Sequence, residues 1–149
     1  MRFVAVLVML SACAADDGDS AAHEACITET NRYRTFIGKA PVVRDSALED
    51  FADLGAMVDF GGTPHQHFSS TSGGGIAFAE NECPHWSSDM TAGDLSMLVV
   101  SCIGAFYSEG PGTGDAHGHY NNMMGAYGTL GCGIYQEGTE VTIVQDYGH

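Results

Sequence analysis

The order of apolar and polar positions divides the chain into helical, looped and strand-like stretches. The strongest pattern lies in TAGDLSMLVVSCIGAFYSE, where Leu95, Leu98–Val99, Cys102–Ile103 and Phe106 recur three and four residues apart. This predicts a heavily buried helix, with Glu109 at its end and near the same face as Cys102. A second helix is predicted over RDSALEDFADLGAMVDF, with Asp45 as N-cap and Leu48, Phe51, Leu54 and Val58 as its apolar stripe. Looser spacing of Ile27, Tyr33 and Phe36–Ile37 predicts a first helix from Ala22 to Gly38, after which Pro41 breaks the chain. GGTPHQHFSSTSGGG reads as a long glycine- and serine-rich loop carrying His65 and His67, and IAFAENE as a short strand. GPGTGDAHG is a further loop and HYNNMM a short helical turn. TLGCGIY and EVTIVQDY, separated by QEGT, form a terminal β-hairpin. Helices followed by strands predict one mixed α+β domain, with a small antiparallel sheet between helices.

The N-terminus stands apart from this pattern. Its apolar run, Phe3 to Leu10 behind a single arginine, is too short to cross a bilayer and has the build of an export signal. Leu10-Ser11-Ala12-Cys13 resembles a bacterial lipobox. The expected organisation is a lipoprotein signal peptide over 1–12, a lipidated Cys13 with a flexible polar tether over 13–23, and one domain over 24–149. An ordinary signal peptide with an incidental Cys13 is the alternative. Either way the protein is exported, to the cell envelope or to the medium. Export implies an oxidising compartment, in which Cys26, Cys83, Cys102 and Cys132 form two disulfides. A four-cysteine zinc site would bring paired CxxC spacings, which are absent. Spacing leaves the connectivity open.

Charge narrows the partners. The formal net charge is −14, and no lysine or arginine follows Arg44. Phosphate backbones need cationic partners, so nucleic acid is excluded, and an anionic membrane surface would repel the chain except at a lipid anchor. A cleft built from the later part of the chain offers only histidines, carboxylates and dipoles, which favours cations or neutral ligands.

The candidate chemistry lies in His65, His67, Glu80, Glu109, His117 and His119. HxH alternation can place two ligands on one side of an extended segment. Glu80 follows Phe78-Ala79, which predicts partial burial and the need for a partner. Their order along the chain is more specific than any one of them. TETNRYR precedes a Gly-x-x-Pro loop and an Asp-x-x-Leu helix start. A histidine loop, AEN, AFYSE, GHYNNMM, LGCG and a last strand ending in DY follow. This order resembles the CAP superfamily of cysteine-rich secretory proteins, insect venom antigen 5 and plant pathogenesis-related class 1 proteins, from about Glu24 to Tyr147. GHYNNMM is similar to the family's first signature, Gly-His-Tyr-Thr-Gln-Val-Val-Trp. AEN is similar to its Gly-Glu-Asn, and LGCG to its hydrophobic-Gly-Cys-Gly strand.

The resemblance implies an α–β–α sandwich with a large open cleft. Two histidines and two glutamates line that cleft, and in several members they hold zinc or another divalent cation. Carried over, the four are His67, Glu80, Glu109 and His119. His67 is preferred because Phe68-Ser69 follow it, and His65 is the second choice. A turn that Gly118 makes possible would present His119. The chain departs from the family at Gly125 in place of tryptophan, at Ala79 in place of glycine, and at Gln145-Asp146-Tyr147 in place of Cys-Asn-Tyr, which weakens an expectation of lipid binding. The expected role is binding, by a monomer, of a divalent cation and of a small-molecule, lipid or peptide ligand. The alternatives are a metal-dependent hydrolase, for which HExxH and GxSxG are absent, and a sterol or fatty-acid carrier using Met123, Met124 and Tyr127.

Overall fold

A computed structural model describes residues 17–149; the expected signal peptide and Cys13 lie outside them. The elements run α1 (Asp17–Phe36), β1 (Val43–Arg44), α2 (Ser46–Phe60), α3 (Gln66–Thr71), β2 (Ala79–Ser87), α4 (Leu95–Ser108), α5 (Gly118–Met123), β3 (Thr129–Glu137) and β4 (Glu140–Gly148). One sheet has the strand order β1-β3-β4-β2. The short β1 pairs parallel with β3, and the other pairings are antiparallel. Helix α2 covers one face, and α1 with α4 the other. This is the expected α–β–α sandwich.

Period-two alternation assigns the strand residues to the two faces. Leu130, Cys132, Ile143 and Tyr147 join Leu98, Val99, Cys102, Ile103 and Phe106 of α4, and Ala22, Cys26 and Ile27 of α1, in an apolar core. Met123 and Met124 are buried in this core as well. Two disulfides staple it. Cys26–Cys132 ties α1 to β3, and Cys83–Cys102 ties β2 to α4.

The opposite face explains LGCG. A Cβ on Gly131 would fall 2.1 Å from the carbonyl carbon of Leu48, and one on Gly133 would fall 2.0 Å from that of Ala52. Helix α2 therefore lies with its backbone directly on β3, which only glycine permits. This close approach also turns the helix. Its buried positions are Leu48, Ala52, Gly55, Ala56 and Asp59, whereas Leu54, expected in the apolar stripe, is 46% exposed. Small residues face the glycines because nothing larger fits. Asp45 is the N-cap, accepting from the N–H of Ala47 and Leu48.

Three other stretches differ from expectation. Helix α1 begins at Asp17, so residues 17–23 are helical. The glycine- and serine-rich stretch contains α3 and a tight turn over Gly73–Gly75, where all three glycines have positive φ. The strand begun by AENE continues to Ser87. It passes Pro84 through a bulge between Cys83 and Trp86, which its position at the sheet edge allows.

Two residues of the first helix fasten the connections. Asn31 exchanges hydrogen bonds with the N–H and C=O of Val42, at 2.8 and 2.9 Å. Buried Arg34 donates to the carbonyls of Ala40, Met123, Gly125 and Tyr127, which anchors the segment following α5.

A candidate cation cleft between two histidine–glutamate pairs

His65 precedes α3 in the left-handed region, with φ 62°. That conformation is unfavourable for a residue with a side chain. Two carboxylates of β2 hold it there. The His65 N–H donates to Glu82 Oε2 at 2.7 Å, and its Nδ1 lies 2.7 Å from Glu80 Oε1.

His67 is placed elsewhere. Because α3 is helical, a residue two positions on points away from His65. The His67 ring packs on Phe51 at 4.4 Å, and its N–H donates to Asp59 Oδ1 at 2.8 Å. Gly55 provides the room, since a Cβ there would lie 3.3 Å from His67 Nδ1. The structure thus brings His65, and not the preferred His67, beside Glu80. The alternation argument needed an extended segment, and this one is coiled.

The facing wall comes from α4 and α5. Glu109 follows α4; its Oε1 lies 2.5 Å from His119 Nδ1, and its Oε2 accepts from the N–H of His119 and Tyr120 at 3.0 and 3.3 Å. The His119 ring stacks on Phe106, with centroids 4.6 Å apart. His117 stays outside this pairing. Its Nδ1 donates to the carbonyls of Glu109 and Gly110, closing the end of α4. Gly118 has ordinary helical angles, φ −60°, so the turn does not require glycine there. Helix α5 is clamped to β2 by Asn122, which donates to Glu80 O and Asn81 Oδ1, and by Asn81, which donates to His119 O. The asparagines of AEN and GHYNN therefore join the two walls.

The two rings face one cleft, 6.5 Å between centroids. Its cavity, about 400 Å³, is lined by His65, Glu80, Asp115, Gly118, His119 and Asn122. An adjoining region of about 340 Å³ shares His65, Glu80 and Asn122 and extends to Phe68, Phe78 and Tyr127. An ionised carboxylate only accepts, so Nδ1 carries the proton of a neutral imidazole in each pair, and Nε2 keeps its lone pair. Glutamates that fix histidine tautomers in this way are the usual support of a metal centre. The donor set suits zinc or a similar cation, with both imidazoles as ligands.

Electrostatically the pairs differ. The hydrogen bond to Glu80 raises the His65 pKa, while burial raises Glu80 itself and outweighs the pull of His65. At Glu109 burial acts upward, but hydrogen bonds from His119 and Tyr120 hold the carboxyl below its ordinary value.

A family model described as the cysteine-rich secretory protein family, CAP, matches residues 27–147. The chain belongs to the CAP family. This CAP domain also superposes on the crystal structure of Na-ASP-1 with a TM-score of 0.64 and 17% identity. The match covers 99% of this chain and 43% of Na-ASP-1, so the chain spans less than half the length of that protein. At that identity the likeness concerns the fold. No curated protein matches the chain.

Sequence reasoning missed Glu82, which holds the His65 backbone, together with the buried Asp59 and Asp146. The signal for Glu82 was present. In a strand, Glu80-x-Glu82 puts both carboxylates on one face and sends Asn81 to the other.

Proposed function

We propose that the protein is an exported CAP domain whose cleft binds a divalent cation between His65 and His119 and, beside it, a small or extended ligand. One observation carries the reading: two imidazoles face one cavity, each with its Nδ1 engaged by a glutamate and its Nε2 left as an acceptor. Zinc, bound there, would polarise whatever oxygen or nitrogen the ligand presents to it. Glu80 and Glu109 orient the rings, and Phe68, Phe78 and Tyr127 offer an apolar wall to the remainder of the ligand. Two disulfides and the lipobox-like Leu10–Cys13 support an oxidising destination, with Cys13 carrying a lipid anchor in the cell envelope.

The test is calorimetric titration of the full chain with zinc. One-to-one binding that His119→Ala loses supports the reading; heat unchanged by that substitution, or no heat at all, refutes it. A second reading, metal-dependent hydrolysis, draws on the His119–Glu109 pair, which could accept and pass on a proton from a bound water. Zinc-dependent turnover of a generic ester or peptide, lost in Glu109→Gln, would favour it over binding alone.

A further inference from the structure

Behind the cleft, on the α2 face of the sheet, lies a second group of donors. Glu80 and Glu82 stand at alternate positions of β2, and Asp146 of β4 is in register with Glu80 on the same face. Asp59 arrives from the end of α2. All four are buried. The four also interact with one another: Asp59 acts on each of the other three, and Glu80 acts on Glu82 and Asp146. One donor atom each from His65, Glu80 and Glu82 can be chosen so that all three lie within 4.8 Å of one another.

These carboxylates lack partners to an unusual degree. Among the described residues, Glu80 Oε2, Glu82 Oε1, Asp59 Oδ2 and both oxygens of Asp146 have no hydrogen-bond partner. Asp146 is wholly buried, and its register aims it at Glu80 rather than into the apolar core. Protonation alone does not satisfy it, because a protonated carboxyl still needs a hydrogen-bond partner for its donor. No lysine or arginine follows Arg44 in the chain, so cationic side chains are scarce throughout this region. A buried oxygen-rich cluster of four carboxylates, with only the imidazoles of His65 and His67 beside it, is the environment of a bound ion. A cavity of about 200 Å³ that Phe106, Glu109 and His119 also line reaches Glu82 from the cleft side.

We propose that an oxygen-preferring divalent cation binds behind the cleft at the unpartnered oxygens of Glu80 and Glu82, with Asp59 and Asp146 completing its surroundings. The site shares Glu80 with the cleft but requires neither Glu109 nor His119. Glu80 then presents one oxygen to the histidine and the other to the buried ion. The ion would also hold Glu82 in place, and with it the left-handed His65 backbone. Carboxylates favour manganese or calcium over the zinc expected between two imidazoles.

The experiment takes the full chain stripped by a chelator and adds manganese or calcium alone, reading thermal unfolding and, for manganese, the bound fraction by paramagnetic resonance. One bound ion and a rise in Tm are expected. Glu82→Gln and Asp146→Asn should each weaken manganese binding about tenfold or more, whereas His119→Ala should leave it unchanged. Absence of a bound ion overturns the proposal, as does binding that Glu82→Gln leaves intact or that His119→Ala abolishes. If Asp146→Asn does not fold, Glu82→Gln carries the test. Zinc titration of the same variants separates the two sites: failure of the cleft shows as zinc binding indifferent to His119→Ala, with the manganese result unaffected.

Discussion

The two faces of the sheet solve burial in different ways. Against α1 and α4, the strands present Leu130, Ile143 and Tyr147 to Leu98 and Ile103, and two disulfides close the arrangement. Against α2, the same strands present Gly131 and Gly133 on β3 and, in the same rows across the sheet, Asp146 on β4 and Glu80 and Glu82 on β2. The first face excludes water with large apolar groups, and the residues on it could be exchanged for others of similar volume. The second brings helix and strand backbones into contact and leaves an acidic pocket where α2 ends. The large apolar core lies on one side of the sheet, and the buried carboxylates of the strands lie on the other.

The largest test of that contrast removes a staple from the apolar face. Cys26–Cys132 closes a loop of 106 residues and Cys83–Cys102 one of 19. Loop-closure entropy gives about 5 kcal/mol for the first and about 3 kcal/mol for the second. Denaturant unfolding of the two paired Cys→Ser variants should rank them in that order; the reverse order would move the principal staple to β2. Next comes the glycine contact. Gly133→Ala should cost about 3 kcal/mol, because α2 must lift from β3. Gly118→Ala, with helical angles and nothing within 4 Å of the added carbon, should gain up to about 1 kcal/mol. Equal effects of the two would mean that α2 is not seated on the glycines.

The acidic face has its own signature in pH. Burial pushes Glu82 up to about 7 and Asp146 up to about 9, from the ordinary carboxylate values shared by the unfolded chain. The folded, chelator-treated protein therefore binds more protons than the unfolded one between about pH 4 and 9, and its stability falls as pH rises across that window. Glu109 acts oppositely: its folded value is depressed, so its contribution is present above the ordinary glutamate value and is lost on acidification. Thermal unfolding from pH 5 to 9 should show a decline that Glu82→Gln reduces. A profile that rises with pH would contradict the buried, cation-free state of these carboxylates. The smallest effect on folding belongs to His119→Ala, about 1 kcal/mol or less, because its partly exposed ring mainly contacts Phe106 and Glu109. A larger loss would make His119 structural.

Much of this was legible in the sequence because periodicity is a local property. Helix α4, the Asp45 cap and the terminal hairpin follow from spacing and turn residues alone. The ordered motifs located Glu80, Glu109 and His119, and their pairing in the folded chain gives each motif a contact to explain it. What could not be read depended on neighbours distant in sequence. The rotation of α2 is set by glycines in a strand about 80 residues later. The exchange of His67 for His65 turned on six residues coiling inside a stretch whose composition signals a loop. Asp146, at a position where the family carries asparagine, reads as a surface residue until β4 is placed in the interior of the sheet.

That placement of β4 has a consequence for biogenesis. The strand that leaves the ribosome last in this domain is flanked on both sides, by β3 and by β2. Until residues 140–148 have emerged, β2 lacks its neighbour and neither helical layer has a complete sheet to cover. The sheet consequently cannot be completed from its N-terminus forward, and waits for the last strand of the domain. The two helical layers therefore find their complete partner only when that final strand arrives.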